Sequence, residues 1–500
     1  MRLRNAILRA ILQENATVLI RFGSGIVIAR LLAPQQVGTY AVALAAVSLA
    51  FAVKDSGLSS YVISDAEKDE MLLRSAFGLT LVISAILVAT FAALSRALGV
   101  FYDDPALGGV LLLVAIGQIP AALVFPATIE LTRELRFDVL LVVNLAGVVC
   151  QSAISMTLAF VGFGAAALGW GYLLGMIATG AATAVARADS IRLLPSLAQA
   201  RQLLTFGGWL SVAMLVSAAG AALPQLMIGR GLGLDVAGLF SRAQNLVWMI
   251  RDGFFFAVMR PLLPRLTEEE HDGQGMSETA LRAVESVTGL AWPAYAMLAV
   301  WAEPLIRLLY GPAWSTAGAL ILPLAIANGL TLTVAPYWEV LIVKRRVRLL
   351  FFCEFCAFIV LAALLGAGLL RGVHAALWGL VVARLFFAAL FIATLTFRLA
   401  FPAKDLLGVW GRSLALTVAV MPPLLLFRLI GAESQIGTLV EMAASGALSA
   451  LVWMIGLRLS GHELHRHVGP VVSELVAGLA SRLSNRRARR RAASSPVGSE

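Results

Sequence analysis

Charge is what this chain has least of. Only 14% of its 500 residues are Asp, Glu, Lys or Arg, while 60% are hydrophobic before Gly is counted; soluble domains carry about 25% charge. A water-soluble globule is excluded, because too little polar surface exists to cover it. Cysteine is also scarce. Cys150, Cys353 and Cys356 all lie inside apolar runs, so neither a disulfide framework nor a structural zinc site holds the fold. Of the five His, only His462 and His465 have helical ligand spacing, and nothing completes a tetrahedral set around them. A Walker loop, a GxSxG elbow, a dinucleotide fingerprint and an Asp-rich magnesium motif are all missing. No cofactor is expected, and ATP is not the energy source. Strand-like alternation is absent as well, which excludes a membrane barrel.

What is present is a series of apolar runs long enough to cross a bilayer. At about 36 residues per span plus connection, the length accommodates about fourteen transmembrane helices. The runs fall at 16–33, 37–53, 71–94, 106–128, 139–161, 164–186, 203–229, 236–259, 283–302, 315–341, 349–370, 373–397, 409–430 and 435–457. The first lacks a small-residue cleavage site and reads as a retained helix. Of the 39 Lys and Arg, 29 fall at the amino end, in every second connection or in the tail; six fall in the other connections or at nearby span ends. Four are interior: Arg21, Arg242, Arg251 and Arg384. That is the positive-inside pattern, with both termini cytoplasmic and an even number of spans. The basic connections and the tail cations Arg486, Arg487, Arg489, Arg490 and Arg491 then read as attracted to anionic lipids rather than to nucleic acid.

The chain repeats itself. Ile28, Arg30, Gly38 and Tyr40 return as Ile228, Arg230, Gly238 and Phe240; TRELRF at 132–137 aligns with KRRVRL at 344–349, and GFGAAALG at 162–169 with GVHAALWG at 372–379. The expected architecture is an all-α integral membrane fold: two parallel six-helix repeats around a central cavity, at 1–200 and 201–400. Two additional helices at 401–458 and a basic cytoplasmic tail at 459–500 follow.

The strings ARLLAPQQVGTYAVALA, DSGLSSYVI, TRELRF and GFGAAAL, then FGGWL, IGRGLGLDVAGLFSRAQNL, FAVMRPLLPRL and AEPLIRLLYGPAW, resemble the polysaccharide-transport branch of the multidrug, oligosaccharidyl-lipid and polysaccharide flippase superfamily. The resemblance runs from about residue 10 to 400 in matching order. It implies a bacterial inner-membrane flippase that moves undecaprenyl-pyrophosphate-linked sugar repeat units outward, with a polysaccharide polymerase or assembly proteins as partners. One departure stands out. Many relatives carry an acidic residue in the seventh span where this sequence has Pro224 and Gln225. A borrowed coupling role there has no residue to perform it, and Pro224 is expected to kink the helix.

A cation at bilayer depth costs about 2.5–3.5 kcal/mol or more, so each needs a partner or water. Glu14, Thr17, Arg21 and Ser24 form one stripe of the first span. Arg21 is a candidate to bind the carrier diphosphate through bidentate contacts; the alternative is pairing with Glu14 or reaching to headgroups. In the eighth span Arg242 and Asn245 share a face and are the better cavity candidates; Arg251 lies on the other side, beside Asp252. Arg384, mid-span in the twelfth, faces the same choice between ligand and carboxylate. Arg30 and Arg230 recur at the outer ends of their spans, which favours capping a helix carboxyl end over acting as an outer gate. Glu303, Glu339 and Glu354 read as surface-paired, and Asp103 with Asp104 as solvated turn residues. A flippase is therefore the leading expectation, and the protein is not an enzyme. The competing readings are a cation-coupled small-molecule exporter and a membrane glycosyltransferase, polymerase or ligase acting on lipid-linked sugars.

Overall fold

Apolar runs of 19 to 32 residues become helices because hydrocarbon offers their backbone no other hydrogen-bond partner. The computed structural model describes residues 2–465 except 56–57, 65–68, 188–192, 207, 260–261, 274, 400–402 and 431–433. Among the described residues every regular element is helical. In the first half these are α1 (Arg2–Leu31), α2 (Pro34–Asp55), α3 (Leu58–Ser64), α4 (Glu70–Phe101), α5 (Pro105–Ile116), α6 (Gln118–Leu123), α7 (Phe125–Arg133), α8 (Phe137–Val161) and α9 (Ala165–Ala186). The second half has α10 (Ala200–Phe206), α11 (Gly208–Leu232), α12 (Leu234–Met259), α13 (Leu262–His271), α14 (Ser277–Val300) and α15 (Ala302–Tyr310). A 3₁₀ turn at Pro312–Ala317 leads to α16 (Gly318–Leu332), α17 (Tyr337–Val343), α18 (Val347–Leu369) and α19 (Val373–Leu399). Finally come α20 (Ala403–Ile430) and α21 (Gln435–Leu459).

Among the described residues twelve stretches are long and apolar enough to cross a membrane. Of the fourteen expected spans, the two outside that set are α1 and α12. Both have ample length, at 30 and 26 residues, but too much polarity, and they carry Arg21, Arg242, Gln244, Asn245 and Arg251.

Local chemistry sets the helix ends. Asp69 caps α4 by accepting from the Met71 amide at 2.8 Å, and Asp104 caps α5 through the Ala106 amide, with Pro105 at the first helical position. Gly162 ends α8 at φ 96°, and Gly372 follows α18 at φ 103°, positions that a side chain would strain.

These matched glycines are one of several structural repeats. Leu135 and Arg345 both adopt φ 55° in equivalent turns, and the breaks before α7 and α17 carry Pro126 and Pro336. The repeat offset here is therefore 210, not the 212 implied by aligning TRELRF with KRRVRL. The conserved element is the left-handed turn, and similar strings of Arg placed it two residues out. Helix ends thus adjoin Pro126, in the first turn of α7, and Pro336, before α17, while Pro224 lies inside α11; Pro261 lies outside the described residues.

Packing follows the small residues. A Cβ on Gly147, Gly171 or Gly175 would collide with Thr179, Ser155 or Gln151 respectively, so α8 and α9 approach to backbone distance, the usual source of helix cohesion where lipid competes equally for apolar contact. The halves meet where α2 crosses α12 and α11. There a Cβ on Gly38 would strike the Leu234 carbonyl, and one on Gly238 the Pro34 carbonyl. Helix α20 docks on α14 and α21 packs on α20, with Trp453 Nε1 of α21 donating to the Gly289 carbonyl of α14 at 2.9 Å.

Candidate functional site

Arg242 projects from α12 toward α1. Its guanidinium carbon lies 5.8 Å from the ring centres of both Tyr310 and Trp314, and a Cβ on Gly25 would approach its Nη1 to 3.3 Å. The Nε is sealed from solvent and has no hydrogen-bond partner, although the residue as a whole is only half-buried. Two cation–π contacts at about 1–2 kcal/mol each offset much of an insertion cost of about 2.5–3.5 kcal/mol. Aromatic rings are thus the partners that the structure gives Arg242. Trp314 is itself fixed, donating from Nε1 to the Ala29 carbonyl of α1 at 2.7 Å.

Arg21 of α1 is exposed, and both Arg21 and Arg242 lie within electrostatic reach of the Tyr40 hydroxyl on α2. Asn245 is exposed one turn along from Arg242. Ser24, expected on the Arg21 stripe, hydrogen-bonds Ser152 of α8 at 3.1 Å, so the stripe turns into protein there. The Glu14 side chain lies outside what the structure describes.

Arg384 belongs elsewhere. It lies 5.8 Å from the Phe387 ring and within electrostatic reach of Tyr337, Glu354 and Arg251. Glu354 is not on the surface as expected. It is 6% exposed, and its Oε1 accepts from the Tyr337 hydroxyl at 2.7 Å and from Trp338 Nε1 at 3.0 Å. Glu339 is likewise half-buried, with Oε2 unpartnered and sealed from solvent. Only Glu303 is exposed. Proximity to a basic loop in sequence misled here, because α18 carries Glu354 two turns inward from that loop. Arg251 pairs with Asp252 at 2.8 Å and stacks on Trp248.

Arg30 and Arg230 sit at one end of the seam and reach across it. Arg30 donates through Nε and Nη2 to the carbonyls of Leu309 and Leu308 at 3.0 and 2.6 Å. It therefore caps a carboxyl end, as expected, but that of α15 in the other half rather than its own helix. Arg230 lies 3.6 Å from Asp103 and 4.9 Å from the Phe101 ring centre, in the other direction. Phe101 ends α4 and Asp103 lies just beyond it, while Leu308 and Leu309 lie in the last turn of α15, so each Arg contacts the carboxyl end of a helix distant in sequence. Asp104 is no solvated turn residue. It is 9% exposed and accepts from Thr39 Oγ1 at 2.6 Å as well as capping α5, which leaves no acid/base couple with Asp103. The connection is also shorter than Arg96 to Pro105, since α4 runs to Phe101. Gln225, standing where relatives are acidic, donates to the Ala237 carbonyl at 3.0 Å and staples α11 to α12.

A third charged cluster escaped the sequence reading. Arg412 of α20 makes a two-point pair with Glu285 of α14 at 2.8 and 2.9 Å, and His462 packs against it, Nε2 3.9 Å from Glu285. The signal was available: Glu285 is a carboxylate inside a span, subject to the same cost argument applied to Arg. Burial pushes the His462 pKa down; Glu285 opposes that shift and Arg412 reinforces it.

Residues 27–319, more than half of the chain, match the family described as polysaccharide biosynthesis protein. The chain belongs to that family. Among family-type relatives, the succinoglycan biosynthesis transport protein ExoT of Rhizobium meliloti (strain 1021) is 24% identical over 323 residues, 64% of this chain. The chain spans 65% of that relative's own length. The lipopolysaccharide biosynthesis protein WzxC of Escherichia coli (strain K12) is 24% identical over 372 residues, covering 71% of this chain and 74% of that one. The fold resembles that of the lipid II flippase MurJ in its inward closed conformation, with a TM-score of 0.71 at 13% identity over 90% of this chain and 99% of the other. An inward-facing multidrug MATE transporter of the MOP superfamily gives 0.58 at 12% identity, over 82% and 98%. The family member described here is thus a multi-pass, all-α membrane protein with the fold of this superfamily.

Proposed function

We infer that this chain is a flippase, not an enzyme, and that it carries undecaprenyl-pyrophosphate-linked oligosaccharide repeat units across the bacterial inner membrane for surface polysaccharide synthesis. The observation that supports the reading is Arg242, held beneath α1 against Tyr310 and Trp314 with a sealed, unpartnered Nε, in a chain whose first helix also exposes Arg21. Guanidinium groups suit a diphosphate, and a cationic seam lowers the cost of passing one through hydrocarbon while the prenyl chain stays in lipid. Residues 1–200 and 201–400 act as the two moving bodies, and 401–458 as an appendage. With Arg30, Arg230, Gly38 and Gly238 assigned to the periplasmic end, contacts that hold the halves together there suit the inward-facing state of an alternating-access cycle. Both termini are cytoplasmic. Arg384 supports the second half through Glu354 and contacts the ligand only if the cluster opens.

The test is reconstitution into liposomes with a fluorescent, diphosphate-linked oligosaccharide lipid. Transfer between leaflets is expected for the unaltered chain, loss for Arg242→Ala and part-activity for Arg242→Lys; full transfer by Arg242→Ala removes the cationic-seam account. A second reading, cation-coupled export of a small molecule, is favoured by the buried Glu354. It requires uptake of a cationic dye to collapse in Glu354→Gln while lipid transfer is absent throughout.

A further inference from the structure

The turn between α17 and α18 carries Lys344, Arg345 and Arg346, and Arg348 follows in the first turn of α18. Lys344 is paired, its Nζ 2.6 Å from Glu270. Arg345, Arg346 and Arg348 are exposed and, among the described residues, have no carboxylate within ion-pair distance. All three line a cavity of about 610 Å³ together with Trp209 at the start of α11 and Phe352 of α18. Trp209 is held in place: its ring centre lies 5.1 Å from Phe351 and 6.0 Å from Phe352, and the Arg348 guanidinium carbon sits 5.5 Å over it. Arg346 provides no side-chain cap to α18, so the first amides of that 23-residue helix add their partial positive charge to the same turn.

The internal repeat shows that the fold does not require this charge. The equivalent turn between α7 and α8 has the same left-handed residue, Leu135 at φ 55° against Arg345 at φ 55°. There the corresponding positions are Glu134, Leu135, Arg136 and Asp138. One backbone design therefore serves a turn with two acids and one base in the first half and a wholly basic one in the second. Below the cavity, Phe352, Phe355 and Ile359 follow one another on α18 at 53%, 43% and 50% exposure. Their spacing makes an apolar track leading away from the cations. Trp209 and Arg230 are 21 positions apart on α11, so the cavity lies about 30 Å from the Arg30 and Arg230 contacts, at the other end of the bundle.

We propose that this cavity is a binding site for the phosphate headgroup of a membrane lipid, with the hydrocarbon chain laid along Phe352, Phe355 and Ile359. The site goes beyond the flippase reading and stands without it. The phosphate belongs either to an anionic phospholipid of the bilayer or to a prenyl diphosphate.

Native mass spectrometry of the full chain, delipidated and titrated with phosphatidylglycerol, tests this, with phosphatidylcholine as the comparison. The combined Arg345→Gln, Arg346→Gln and Arg348→Gln variant is expected to retain phosphatidylglycerol about tenfold to a hundredfold less than the unaltered chain; the corresponding Lys variant keeps most of the binding. Displacement of phosphatidylglycerol by added undecaprenyl diphosphate assigns the site to the carrier, and its retention assigns the site to a resident phospholipid; either supports the proposal. Equal retention by the unaltered chain and a normally melting Gln variant overturns it. If the Gln variant does not fold, Trp209→Leu, which keeps every charge, decides by the same comparison. The readout is lipid retention, so it fails separately from any translocation assay.

Discussion

Substituting Gly38 by Ala should push the two halves apart at the Arg30 and Arg230 end. The new Cβ would lie closer to the Leu234 carbonyl than the 3.0 Å that real Cβ atoms keep, with the Gly238 amide nitrogen at 2.8 Å. Neither neighbour is a side chain that can rotate away, because both are backbone of α12. Relief therefore requires α2 and α12 to separate by roughly 1 Å or more. Overpacking of this kind costs about 1–3 kcal/mol. If that cost falls only on the state in which the helices cross closely, it shifts the population toward the opposite state by about 5- to 150-fold. Spin labels placed across the seam at the exposed positions Gln35 and Asp235 report it as a distance distribution in nanodiscs, with a longer component growing in Gly38→Ala and in Gly238→Ala. Unchanged distributions in both variants, at normal membrane abundance, would refute the reasoning.

Arg30→Ala should weaken the same seam more than Arg230→Ala, because Arg30 makes two charge-assisted bonds to carbonyls at about 1 kcal/mol or more each, whereas the Arg230 and Asp103 pair is exposed and contributes about 0–1 kcal/mol; the same label pair ranks them. Arg384→Ala should lower melting temperature as well as transfer, since it strips Glu354 of its nearby cation, and adding Glu354→Gln should recover part of the melting temperature but not of Arg242→Ala. The C-terminal packing should loosen in acid. Because burial depresses the His462 pKa, the unfolded chain takes up the proton more readily, so stability falls as pH drops below about 6.5, the unperturbed value. Melting curves between pH 5.5 and 8 should show this slope, and His462→Gln should flatten it.

How much of this was legible beforehand depended on the kind of signal. Apolar length and the alternation of basic connections gave the helical class directly, because bilayer thickness imposes one length on every span. Repetition of Arg30 and Gly38 as Arg230 and Gly238 marked the seam, yet not its partners. A contact between Arg30 and the Leu308 carbonyl joins positions 278 apart, and backbone acceptors leave no trace in sequence. Interior Arg were found by cost, but helical spacing could not tell that Arg384 comes within electrostatic reach of Glu354. Two errors share one cause. Glu354 and Asp104 were assigned from the polarity of their sequence neighbours, while both are enclosed by residues brought in from Tyr337 and Thr39. The basic turn at Lys344 to Arg348 read as a mark of topology and of attraction to anionic lipid; that it borders a cavity with Trp209 depended on the packing of α11 against α18.

The central claim is outward movement of a lipid-linked repeat unit, and the most direct measurement follows that lipid in cells depleted of the protein. Membranes are probed for the leaflet in which the sugar-bearing diphosphate lipid collects, using a glycan-specific lectin on sealed spheroplasts and on inverted vesicles. Accumulation on the cytoplasmic face, cleared by the unaltered chain and not by Arg242→Ala, is the predicted result. Accumulation on the outer face would contradict it and would point instead to polymerisation or ligation after the lipid has crossed.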